Sequence, residues 1–128
     1  MTKTKILSVL FAAPFALGCQ FMARAPEQYK ADTDKVIESK QADLKKCYDE
    51  VLKKDKKAAG KVVVTFMVAP ETGEFQNVAV DPEQSTAPAA LGECVATVLT
   101  GLKLDPPDRR EGVVSWSYDF QANPPKQL

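Results

Sequence analysis

The chain has 128 residues, a formal net charge of zero and 45% hydrophobic residues. That suits one small globular domain and excludes both wholesale disorder and the basic excess expected of a nucleic-acid binder. It contains no histidine, which removes the commonest general base, the commonest metal ligand and every Ser-His or Cys-His nucleophile pair.

Met1–Lys5 carries two lysines and no acid, Ile6–Leu17 is uncharged, and Gly18-Cys19 closes the segment. A positive start, a short apolar run and a small-residue exit predict a secretory leader over residues 1–18. The run is too short to span a bilayer as a helix, and Pro14 interrupts it. Ala16-Leu17-Gly18-Cys19 resembles a bacterial lipobox, which implies cleavage before Cys19 and lipid on that cysteine. Gln20 stands where an Asp would imply inner-membrane retention, so the resemblance implies the outer membrane, with the domain facing the periplasm. Residues 19–33 are polar, contain Pro26 and show no clear period, and are expected to form a lipidated tether.

The folded domain is expected over residues 34–121. Asp32-Thr33-Asp34 offers helix caps, and Ile37, Leu44, Cys47, Tyr48 and Val51 recur at helical spacing up to a stop at Gly60. The lysines at 45, 46, 53, 54, 56 and 57 read as the solvated side of that helix. Lys61–Ala69 is rich in β-branched residues and predicts a central strand. Pro70-Glu71-Thr72-Gly73 predicts a turn into a returning strand, Glu74–Asp81, whose imperfect alternation leaves room for a bulge. Ser85-Thr86-Ala87-Pro88 reads as a second helix entrance. Leu91, Cys94, Val95, Val98 and Leu102 form one apolar stripe after it. Gly112–Phe120 alternates, with Val114, Trp116, Tyr118 and Phe120 on one face and expected to fill the core. The tail, 122–128, is expected to be loose. The elements add up to an α+β, αββαβ domain with a three-stranded antiparallel sheet in the order 2-1-3 and two helices on one face.

Cys47 and Cys94 fall on the apolar stripes of two helices packed on one sheet face. In an exported chain, pairing is the default, and Cys19 is accounted for by lipid; two buried free thiols are the alternative. With no C-x-x-C motif and no further sulfur or nitrogen ligands nearby, neither redox catalysis nor a zinc site is expected, and no cofactor is called for.

Cys47-Tyr48, Gly60-Lys61-Val62, the strand closed by Gly73, Cys94-Val95, the Pro106-Pro107 break and the aromatic last strand occur in that order. The ordered set resembles the AgmX/PglI C-terminal domain family of myxobacterial envelope proteins, which is similar to the C-terminal domain of TonB. The resemblance covers roughly residues 34–120, and its cysteine pair carries over to Cys47 and Cys94. Leu104-Asp105 departs from the aromatic-proline pair expected before the last strand. The resemblance implies a small sheet covered by helices and a non-enzymatic module that binds a partner by strand addition.

The expected partners are therefore a membrane, through Cys19, and an unidentified envelope protein, with no nucleic acid and no small-molecule substrate. A purely structural lipoprotein is the alternative. A small hydrolytic enzyme is a third reading, against which Asp49, Glu50, Glu71, Glu74, Asp81 and Glu83 are scattered, with no recognisable catalytic pair.

Overall fold

The computed structural model describes residues 23–122. The expected leader, Cys19 and tail lie outside them. The chain order is α1 (Pro26–Glu38), α2 (Gln41–Lys54), β1 (Gly60–Val68), β2 (Phe75–Val80), α3 (Ala89–Leu99) and β3 (Gly112–Phe120). The strands form one antiparallel sheet in the order β2-β1-β3, as the sequence predicts.

β1 is central because it is the most apolar segment. Val62, Val64 and Val68 are completely buried on the face it turns to the helices, with Phe66 almost so. It pairs with β3 along its whole length, from Gly60↔Phe120 to Val68↔Gly112. β2 covers only the second half of the opposite side, from Val64↔Val80 to Val68↔Phe75. The first half is completed by the loop after β2, whose backbone N–H groups at Asp81, Thr86 and Ala87 donate to Val63 O and Lys61 O and whose hydroxyls accept. The Lys61 N–H donates to Thr86 Oγ1 at 2.8 Å and the Val63 N–H to Ser85 Oγ at 2.9 Å. Ser85 and Thr86, expected as helix caps, therefore extend the sheet instead; α3 starts after Pro88, without a side-chain cap.

The expected bulge is present. The β1–β2 register shifts between Thr65 and Met67, and Asn77 takes a left-handed conformation at φ 52. Asn tolerates that region better than most side chains. After α3 the chain returns beside β2. Phe75 receives backbone bonds through both its groups, donating to Leu102 O and accepting from Gly101 N. Leu102 thus lies beyond α3, and Leu99 takes the last buried place on the helix.

Two expectations about the N-terminal part are corrected. The segment read as tether is helical from Pro26, and Thr33, expected near a helix start, is mid-helix and fully buried. Tyr29, Thr33, Val36 and Ile37 are spaced as one helical stripe, and all four are at least partly buried. The single helix expected up to Gly60 is two helices. The chain turns at Ser39-Lys40, so that α1 lies beside β3 while α2 packs on α3. Asp55 caps the end of α2, its N–H donating to Val51 O, and Gly60 opens β1 rather than ending the helix.

Between α2 and α3, Cys47 and Cys94 form a disulfide with Cα atoms 5.7 Å apart. The bridge closes a loop of 47 residues in sequence separation, for which the chain-entropy model gives about 4 kcal/mol. Replacing Cys94 by Ala is expected to lower the unfolding free energy by about 2–4 kcal/mol, read from the urea midpoint. Gly73 turns the β1–β2 hairpin at φ 71 with its Cα facing the chain at Leu104; an added Cβ would lie 2.1 Å from Leu104 O. Gly73→Ala should cost about 1–3 kcal/mol by the same measurement, although it is a surface hairpin on sequence grounds.

Candidate functional site: the free edge of the last strand

Among the described residues β3 borders the sheet and pairs only with β1. In an antiparallel pair, successive residues direct their backbone groups alternately to the two sides. Lys61 and Val63 bond toward the β2 side, so their neighbours Val62 and Val64 face β3. Through the register, Tyr118 and Trp116 face back. The N–H and C=O groups of Val113, Ser115, Ser117 and Asp119 consequently point outward along the edge, and none of them makes a backbone bond to another of the described residues outside the sheet.

The two edges of the sheet differ. β2 has six residues, is bulged at Asn77 and is covered at Phe75. β3 has nine residues with no proline, no lysine and no bulge, and its one charged residue, Asp119, stands next to its end.

A groove runs beside this edge, between β3 and the α1–α2 pair. It consists of two adjoining hollows of about 340 and 320 Å³ that share Lys30 and Ser115. The first lies at the start of β3 beside Tyr29 and Arg110; the second is lined by Ile37, Leu44, Trp116 and Tyr118. Of the four residues expected to fill the core, Val114 and Phe120 do so. Trp116 is half-buried, and Tyr118 is 48% exposed. The rings of Trp116 and Tyr118 stack 6.0 Å apart, Tyr118 meets Phe120 at 4.8 Å, and Phe120 meets Tyr48 at 5.3 Å. The row runs from core to groove. Its inner end is fixed by Tyr48, whose hydroxyl donates to Ala58 O at 2.6 Å.

The closed end of the groove is built by a buried clasp that the sequence reading missed. The Arg24 side chain is 1% exposed. Its backbone N–H donates to Asp108 Oδ2 at 2.7 Å, its Nε to Asp32 at 2.8 Å and its Nη2 to Pro106 O at 2.6 Å. Arg110 closes the circle, its backbone N–H donating to Asp108 Oδ1 and its Nη2 to Arg24 O. The Tyr29 ring then lies against Gly112, where an added Cβ would sit 2.3 Å from Cζ, so only glycine lets α1 approach the start of β3. The signal available in the sequence was an arginine two places before Pro26 and the Asp108-Arg109-Arg110 run directly after Pro106-Pro107.

Cys47 and Cys94 lie on the far side of the helical layer from this edge and serve the fold. The acids weighed as catalytic candidates are not gathered at the groove. Asp49 and Glu50 pair with Lys45 and Lys53, and Asp81 caps a turn at Glu83 and Gln84. Among the described residues no cluster of potential metal ligands occurs, and no helix is long and apolar enough to cross a membrane.

Comparison with known proteins finds no matching family model, no matching curated protein and no matching solved structure.

Burial works to raise the Asp108 carboxyl, but the N–H groups of Arg110 and Arg24 and the two guanidinium charges outweigh it and hold the group below the usual carboxylate value. A carboxyl depressed in the folded state adds stability above its unfolded pKa and loses it as pH falls through the folded one. The clasp should therefore weaken below about pH 4. Asp108→Asn should cost roughly 3 kcal/mol at neutral pH, because it leaves Arg24 buried with less compensation, and should flatten the acid limb of the stability curve measured by urea titration.

Proposed function

We propose that this chain is an envelope lipoprotein, anchored through Cys19, whose domain is a non-enzymatic interaction module that takes an extended segment of another polypeptide as an added strand on β3. The observation that carries the recognition half is the nine-residue edge, unpaired among the described residues, beside a groove with Trp116 and Tyr118 in its wall. Strand addition draws its affinity from main-chain bonds and its selectivity from side-chain hollows at alternate positions. The outward groups from Val113 to Asp119 supply the first, and the two hollows beside them the second. A half-exposed aromatic pair adds contact area at little entropic cost. The resemblance to the AgmX/PglI and TonB C-terminal domains points to the same mode.

The anchoring half rests on the leader pattern and the lipobox. Arg24 is already part of the domain, so at most five peptide steps, about 17 Å extended, separate it from Cys19. On this reading the module works close against the membrane rather than on a long leash.

Metabolic labelling with palmitate tests the anchor: label should appear on the wild-type chain and vanish in Cys19→Ala, which should leave the membrane fraction. A photo-crosslinking residue at Ser115 tests the recognition. It should give discrete adducts in intact cells, and Ser117→Pro should abolish them with the far-UV spectrum unchanged, because the N–H removed at 117 faces outward and holds no bond in the sheet. Diffuse adducts that survive the proline would sink the proposal.

A further inference from the structure

Resting on the strand-addition reading above, we propose that the second hollow of the groove is a specificity pocket for an arginine side chain of the added segment, stacked on the Trp116–Tyr118 pair and bonded to Glu38.

The edge decides which side chains can enter that hollow. Residues directly opposite each other in paired strands point their side chains to the same face, with Cβ atoms about 4.5–5.5 Å apart. Trp116 turns its ring to the groove. The residue of an added strand that lies opposite Trp116 therefore starts against the indole, with the hollow of about 320 Å³ ahead of it.

The wall of the hollow has three chemical parts. Ile37 and Leu44 are buried and apolar. Trp116 and Tyr118 stack with their rings 12° from parallel, and Tyr118 is largely exposed, so an extended π surface faces the groove. Lys30, Asp34 and Glu38 form a row on α1, each one turn after the last. Lys30 Nζ meets Asp34 Oδ2 at 3.1 Å, which leaves Glu38 without an ion pair among the described residues. One uncompensated negative charge thus stands beside open aromatic faces.

Each class of side chain meets this wall differently. An apolar one would fit Ile37 and Leu44 but strip water from the carboxylates and give them no partner. An acid would be repelled. Arginine suits all three parts. Its methylene stem lies on apolar surface, its flat guanidinium stacks on Trp or Tyr, and its fork of donors takes a carboxylate in two bonds. Lysine offers a point charge and no plane to stack. The chain's own Lys30 already shows a cation drawn to the same acidic row.

Trp116 is the single tryptophan of the chain, so the fluorescence of the full chain in detergent reports on this wall. The probe is a blocked nonapeptide of threonines with arginine at its centre. It is compared with peptides carrying citrulline, an uncharged near-isostere, or norleucine at that place. The arginine peptide should bind roughly tenfold more tightly than the citrulline one. Glu38→Gln should remove most of that preference and leave the affinity of the citrulline peptide unchanged. Tyr118→Leu, which keeps the wall apolar and removes a π face, should reduce the preference as well. Equal binding of arginine and citrulline, a preference for norleucine, or an arginine preference untouched by Glu38→Gln would overturn the proposal.

Amide exchange of residues 113, 115, 117 and 119 with peptide bound separates the pocket from the reading it rests on. Protection together with an arginine preference is the expected result. Protection without that preference would refute the pocket and keep strand addition. Binding without protection, or no binding by any of the peptides, would refute strand addition and, with it, the pocket as its reader.

Discussion

A strand as deeply buried as β1 has to satisfy its backbone on both sides, because an unpaired buried N–H or C=O costs as much as a lost hydrogen bond. Much of the domain follows from how this is done. β3 satisfies one side completely. The other side is shared between a short, bulged β2 and the hydroxyls of Ser85 and Thr86. Using up β2 and the loop after it in this way leaves the outer side of β3 as the long unpartnered edge. The same strand therefore pairs with the core strand on one side and, on the other, carries the edge to which we assign recognition.

The helical layer shapes the groove beside that edge. α2 and α3 close over the sheet and are locked by Cys47–Cys94. α1 turns away at Ser39-Lys40 and stands beside β3, with the groove between them. Had α1 and α2 continued as one straight helix, no wall would face Trp116 and Tyr118. The disulfide and the aromatic row thus have separable tasks. One fastens the cover; the other carries apolar surface from Phe120 in the core out to the groove.

The sheet order, the hairpin, the bulge and the cysteine pair were legible because each has a local signature: β-branched runs, Pro and Gly at a turn, imperfect alternation, and cysteines on apolar stripes. α1 was not. Its inward stripe consists of Tyr29, Thr33 and Ile37, and a buried threonine does not register as apolar even though its hydroxyl is satisfied by the Tyr29 carbonyl. Ser85 and Thr86 were misread because a hydroxyl pair before a proline looks like a helix cap; their actual acceptor role depends on where β2 stops. The clasp of Arg24, Asp108 and Arg110 joins residues 84 apart in sequence, and no local pattern announces such a pair. The edge was legible as topology. The groove, which depends on α1, was not.

The clasp also sets how mechanical load passes through the molecule. Arg24 is the first buried residue among those described, and it grips Asp108, a few positions before β3 begins at Gly112. Tension between an anchor upstream of Arg24 and a polypeptide laid along β3 would run through Asp108 and Gly112 directly into the loaded strand. The sheet interior and the disulfide lie off that line. A pull would then be borne by the added polypeptide sliding lengthwise against β3, where many bonds resist together, and not by peeling it away one bond at a time.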